Sequence, residues 1–190
     1  PPRSTLFPYT TLFRSAYSWS EGITQIESSG GKIFSKIHLF QATPLLLSSV
    51  LPHELTHAMY PWFMNYRHRM PLWLNEGIAV SSEPLFRRKN RMASLRSFVK
   101  RGAHFNLDVL WTINEYPQSN QATELFYAQS FSVVHFLLQK YGSESLFKLS
   151  QNVDKIGMEK CLQTIYNYNS NEVFQKDWLN FVNNPESLSK

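Results

Sequence analysis

The chain has 190 residues, of which 43% are hydrophobic and 15% aromatic, and its formal net charge is +5. This length and composition fit one domain with enough apolar residues to bury a core. Cys161 is the single cysteine, which excludes an internal disulfide and a thiolate zinc site, and no apolar run reaches the roughly 18 residues that a membrane-spanning helix needs.

Residues 1–15, PPRSTLFPYTTLFRS, do not read as part of a folded domain. With suitable codons, all fifteen back-translate to a standard short-read sequencing adapter. We therefore predict that this segment is non-native and adapter-derived, and that it should be excluded from fold reasoning. The authentic chain is then expected to span residues 16–190 as one domain, with its true N-terminus truncated.

The first predicted regular element is a β-strand over residues 32–40, KIFSKIHLF, because its residues alternate between two faces. Residues 16–31 are less readable and suggest either a loop or the remnant of a strand layer. The apolar stretch at residues 44–51 then predicts a buried helix that runs into the next motif. Pro52 predicts a kink or a late helix start just before that motif.

The motif at residues 53–57 is HELTH. On a helix His53 and His57 lie four positions apart, so both imidazoles project from one face and can hold one metal ion. Glu54 lies between them, where it can act on a metal-bound water without being a ligand. Only three positions of such a pattern are fixed, so its context must support it.

That context is Glu76, nineteen positions after His57 in the segment PLWLNEG on a helix predicted over residues 72–82. Glu76 supplies a third ligand and leaves a fourth position open, as a catalytic zinc site requires. The prediction is one zinc ion held by His53, His57 and Glu76. Glu83 shares a helical face with Glu76 and could order a ligand histidine, but we favour a solvated helix end.

The rest of the chain predicts helices. They cover residues 91–101, 119–141, 143–149, 158–166 and 171–182, and residues 107–113 are predicted as a short turn or helix. A basic cluster at residues 87–101 is interpreted as a solvated helix face, with no nucleic-acid partner, and His135 as a packed or surface histidine. The predicted fold class is α+β: a small N-terminal sheet remnant with the active-site helix, followed by a mainly α-helical C-terminal half.

Three motifs carry a family resemblance: HELTHAMY at 53–60, PLWLNEGIAVSSE at 71–83 and YAQS at 127–130. Together they resemble the gluzincin clan of zinc metallopeptidases, and most of all the bacterial peptidase MA-like domains. The resemblance covers residues 31–182 in outline. It implies a zincin-like fold, an edge strand along the substrate cleft, and an oxyanion-binding role for Tyr127.

The resemblance and the site residues together predict a metallopeptidase. Zinc would activate a water, Glu54 would act as general base, and peptides or proteins would be the substrate. Aminopeptidases of this clan carry a Gly-x-Met-Glu-Asn stretch that residues 16–41 lack, which favours an endopeptidase. The resemblance also favours an extracytoplasmic or cell-envelope location, whereas the oligomeric state is left open.

Two other functions are compatible with these residues. One is a peptidase-like module that binds a polypeptide without cleaving it, although the complete set of ligands and base argues against it. The other is a zinc hydrolase that acts on a non-peptide amide or ester. Metal content and cleavage of a mixed peptide library would separate the three.

Overall fold

The computed structural model describes residues 21–40, 44–64 and 68–188. The chain divides into two compact units, one made of residues 1–69 and 82–84 and the other of residues 70–81 and 85–190. The described residues are mostly helical with one two-stranded sheet, which confirms the predicted α+β class. The predicted adapter-derived segment lies outside them.

The sheet of the first unit is a hairpin. Strand β1, Gly22–Ser29, pairs antiparallel with strand β2, Lys32–Leu39. Gly30 and Gly31 join them with positive φ angles of 58° and 75°, which a two-residue hairpin turn of this kind demands and glycine adopts without strain. The strand predicted from the KIFSKIHLF pattern is confirmed, and of the two alternatives for the residues before it the strand layer is right over residues 22–29, while residues 16–20 lie outside the described residues.

Helix α1, Leu51–Phe63, carries the HELTH motif. Pro52 lies in its first turn, where the missing N–H has no intrahelical acceptor to lose. The late helix start predicted from this proline is confirmed. Pro61 lies inside the helix, which ends only two residues after it.

The segment that leads into α1 differs from the prediction. Residues 46–50 form a single π-helical turn, and Leu47 is 72% exposed. The expectation of a buried helix over residues 44–51 is therefore wrong. An apolar run alone does not reveal which of its residues will face a core, so burial could not be read from it.

The second unit is helical. Its helices are α2 (Leu72–Ser81), α3 (Leu85–Lys100), α4 (Leu107–Thr112), α5 (Asn120–Tyr166) and α6 (Asn171–Asn183), and a 3₁₀ turn follows at Pro185–Leu188. Ser119 caps α5 by accepting a hydrogen bond from the Ala122 amide, as a serine before a helix should. None of the described helices is both long and apolar enough to cross a membrane.

Regular geometry in α5 is interrupted at Gly142 and Gly157, where φ is 78°. The helix end predicted at Gly142 is therefore confirmed as a break. Helix α3 begins six residues before the predicted position of 91, because the polar run RRKNR at residues 87–91 shows no apolar periodicity.

Helix α2 is apolar on most of its surface and is buried against α5. Gly77 makes the close approach possible: a Cβ at this position would lie 2.5 Å from the carbonyl oxygen of Ser130 and 2.6 Å from Cγ2 of Val134. Glu76, the neighbour of Gly77, is consequently carried by a helix with little freedom to shift.

Candidate metal centre

The two histidines of α1 converge on one point. Nε2 of His53 and Nε2 of His57 lie 3.1 Å apart, and their rings meet edge to face. Two nitrogens bound to one tetrahedral zinc at 2.0–2.1 Å are separated by roughly 3.4 Å. The four-residue spacing on α1 thus brings the two Nε2 atoms to a separation close to that value.

Glu83 contacts His53. Its Oε1 lies 3.1 Å from Nδ1 of His53, and its side chain is only 3% exposed. A carboxylate that accepts the Nδ1 hydrogen leaves Nε2 of a neutral imidazole unprotonated, as a metal ligand must be. The favoured interpretation of Glu83 as a solvated helix end is wrong, and the alternative role of ordering a histidine is the one that its contact supports.

Glu54 is buried, with 6% exposure, in the first turn of α1. Strand β1 holds it from one side: the Thr24 hydroxyl lies 2.7 Å from Oε2 of Glu54 and 2.9 Å from its backbone oxygen, both possible acceptors. A Cβ on Gly22 would lie 2.9 Å from Cγ of Glu54 and 3.0 Å from Oε1. Sequence reasoning missed both β1 residues, although strand alternation places them on one face.

In the second unit Glu76 is 1% exposed on α2. Its Oε1 accepts a hydrogen bond from the hydroxyl of Tyr116, a residue that sequence reasoning missed. Burial raises the pKa of Tyr116 well above its ordinary value, and the nearby Glu76 charge raises it further, so the phenol stays protonated as a donor.

Tyr127, the residue to which the resemblance gives an oxyanion role, is half-buried on α5. Its ring stacks on Tyr116 with centroids 6.1 Å apart and planes 19° apart. The guanidinium of Arg91 lies 5.3 Å from the centroid of the Tyr127 ring. Glu76, Tyr116 and Tyr127 thus form one polar cluster within the second unit.

Other candidates from the sequence have structural contacts. Arg96, a member of the basic cluster, donates hydrogen bonds to the backbone oxygens of Val182 and Asn184. His135 is 8% exposed, and its Nε2 lies 2.9 Å from the Ser187 oxygen. The interpretation of His135 as a packed histidine is confirmed.

One of three comparisons with known proteins gives a match. His53 and His57 belong to the first unit and Glu76 to the second, so the set of three zinc ligands stays a prediction from the sequence. Searches of curated proteins and of solved structures found no significant match. A family model described as Peptidase MA superfamily matches residues 47–184, which is well over half of the chain and includes every site residue predicted from the sequence. The chain therefore belongs to the Peptidase MA superfamily.

Proposed function

We propose that this protein is a zinc-dependent metallopeptidase of the gluzincin type. The observation that carries the proposal is the convergence of the His53 and His57 Nε2 atoms on a helix that also bears the buried carboxylate of Glu54. Membership of a peptidase superfamily supports a peptide or protein as the substrate. Residues 16–41 do not match the Gly-x-Met-Glu-Asn stretch of the clan's aminopeptidases, which favours cleavage within a chain over cleavage at its amino end.

The donor set suits zinc. We assign His53, His57 and Glu76 as the residues that would hold one ion, because two imidazoles and one carboxylate are a known ligand set of catalytic zinc. Such a set leaves a coordination position open. When bound, zinc would polarise a substrate carbonyl and lower the pKa of water to about 7.

Glu54 is the proposed general base. Its carboxylate would take a proton from the attacking water and deliver that proton to the leaving amine. Thr24 lies within hydrogen-bond distance of Oε2, so we assign Oε1 as the atom that takes the proton. Gly22 keeps the space beside Oε1 clear, because a Cβ there would lie 3.0 Å from that oxygen.

Tyr127 is the proposed donor to the oxyanion that forms when the carbonyl is attacked. A phenol hydroxyl stabilises developing negative charge, and loss of one such donor typically lowers turnover by about 10²–10³. The guanidinium of Arg91 above its ring adds positive potential beside the phenol.

Glu54→Gln tests the function directly. The amide keeps the shape of the side chain but cannot accept the proton, so we expect cleavage of a mixed peptide library to fall to background while the zinc content stays near one ion per chain. Zinc content is measured by elemental analysis and cleavage by mass spectrometry of the library.

Two further variants serve as controls for this test. Glu159→Gln makes the same chemical change at an exposed position of α5 and should leave both readouts unchanged. His57→Ala should release zinc. A wild-type protein that binds zinc and cleaves no peptide, or a Glu54→Gln variant that still cleaves, would contradict the proposal.

A further inference from the structure

Tyr116 is held firmly in the loop that precedes α5. The Thr123 hydroxyl donates to the Pro117 oxygen at 2.7 Å, which ties the loop to the first turn of the helix. The Tyr116 ring packs edge to face on Phe126, with centroids 6.3 Å apart, and stacks on Tyr127. These contacts fix the direction of its hydroxyl.

That hydroxyl donates to Oε1 of Glu76. Glu76 is 1% exposed, and a buried carboxylate is costly unless hydrogen bonds or opposite charges compensate it. A phenol fits this role well, because it is a neutral donor on a rigid ring and adds no charge that would repel a cation. Rotation of the carboxylate away from Tyr116 would break the hydrogen bond, so this donor selects one orientation of Glu76.

The ring of Tyr116 also stacks on the ring of Tyr127, with planes 19° apart. Tyr116 has one hydroxyl proton, and that proton is directed at Glu76. Tyr116 therefore contacts both other residues of the cluster, Tyr127 through its ring and Glu76 through its hydroxyl.

From this arrangement we propose that Tyr116 is a positioning residue for the metal site, which binds Oε1 of Glu76 and so presents Oε2 as the ligand atom. The inference rests on the proposed function, in which Glu76 is a zinc ligand. Hydrogen-bond partners of metal ligands commonly contribute 10- to 100-fold to metal affinity. Tyr116 would contribute to zinc retention without touching the ion or the substrate.

Tyr116→Phe tests this role, because it removes the hydroxyl and keeps the ring. We expect the zinc dissociation constant, measured by competition with a chromophoric chelator, to rise about 10- to 100-fold. Tyr127→Phe should instead leave the zinc dissociation constant within about twofold of wild type and lower kcat. The contrast separates a residue that orders a ligand from one that acts on the substrate.

Tyr166→Phe is the control for effects on folding of losing a tyrosine hydroxyl. The Tyr166 hydroxyl donates to the Ser145 oxygen at 3.1 Å, so Tyr166→Phe removes one hydrogen bond without altering the Glu76 cluster. It should leave zinc affinity unchanged. The melting temperatures of all three variants are compared in excess EDTA, so that a loss of zinc affinity can be distinguished from a loss of fold.

A zinc affinity of Tyr116→Phe equal to that of wild type would overturn the inference and leave the proposed function intact. A wild-type chain that binds no zinc would overturn the proposed function itself. Should Tyr116→Phe not fold, a crystal structure of the zinc-loaded wild type decides instead. Supporting geometry has the Tyr116 oxygen within hydrogen-bond distance of Glu76, and a phenol turned away from that carboxylate contradicts the inference.

Discussion

The hydrogen bond between His53 and Glu83 illustrates how a single buried carboxylate can orient an imidazole that we propose as a zinc ligand. Imidazole can carry its proton on either nitrogen, and only one of the two tautomers presents Nε2 as a donor to a metal. The Glu83 carboxylate, 3.1 Å from Nδ1 of His53, selects that tautomer and orients the ring. Its 3% exposure keeps water from competing for the contact.

Glu83→Ala should therefore weaken zinc binding. Removal of the carboxylate frees the His53 ring to rotate and to change tautomer, and we expect the zinc dissociation constant to rise about 10- to 100-fold. Glu83→Gln should have a smaller effect, because its amide oxygen can still accept from Nδ1 without supplying charge. Chelator competition measures both variants, with Glu159→Gln as the exposed control. Equal affinities for wild type and Glu83→Ala would refute the assigned role.

The sequence shows only some of the residues around this site. His53, Glu54 and His57 are recognisable because they lie within one turn of one helix, where spacing determines which side chains meet. Tyr116 and Thr24 are separated in sequence from the carboxylates that they contact by 40 and 30 positions. No local pattern marks such pairs, because tertiary packing alone brings them together.

At the scale of elements, the packing of α2 on α5 depends on Gly77, which has no side chain. Gly77 follows Glu76 directly, and a Cβ there would collide with the backbone oxygen of Ser130. Backbone atoms cannot rotate away as a side chain can, so the two helices would have to separate. Glycine in a helix interior is usually unfavourable, and here its small size compensates for that cost.

Gly77→Ala should consequently destabilise the protein, although alanine is the better helix former. We expect the free energy of unfolding to fall by about 1–3 kcal/mol, the usual range for overpacking. Denaturant unfolding in the presence of EDTA measures this change. Ser97→Ala, an exposed substitution in α3, should stay within about 0.5 kcal/mol of wild type. A Gly77→Ala variant as stable as wild type would show that the helices can move apart at no cost.

Elements with clear periodicity were easier to predict than those whose signal is mixed. Strand β2 alternates between two faces, and α2 is mostly apolar, so the predicted bounds of both lie close to the observed ones. Strand β1 contains Gly22 and several polar residues, which weaken the strand signal. Its conformation depends on pairing with β2 and on contact with α1, and neither is encoded locally.

At the scale of the whole molecule, residues 182–188 form hydrogen bonds, within the second unit, with side chains that are distant in sequence. Arg96 donates to the backbone oxygen of Val182 and to the hydroxyl of Ser187. His135 and Gln139 both lie within hydrogen-bond distance of the Ser187 oxygen. The buried Ser187 thus has both its backbone oxygen and its hydroxyl in hydrogen bonds, as burial requires.

This arrangement makes stability depend on pH. Burial lowers the pKa of His135 below 6.5, the Arg88 charge lowers it further, and the hydrogen bond with Ser187 only partly opposes them. Burial lowers the pKa of His104 as well. Above about pH 6.5 these imidazoles are neutral in both the folded and the unfolded chain, so their contribution to stability is fully present. As the pH falls below that value, the unfolded chain takes up protons first, and the free energy of unfolding must decrease.

We therefore expect a lower free energy of unfolding at pH 5.0 than at pH 7.5, measured by denaturant titration in EDTA so that metal binding does not contribute. The decrease should be smaller in His135→Gln, because its neutral amide can still donate to the Ser187 oxygen and takes up no proton in this range. The part of the decrease that persists in this variant includes the contribution of His104. If His135→Gln loses as much stability as wild type between the two pH values, the buried imidazole of His135 is not the group that makes the fold sensitive to acid.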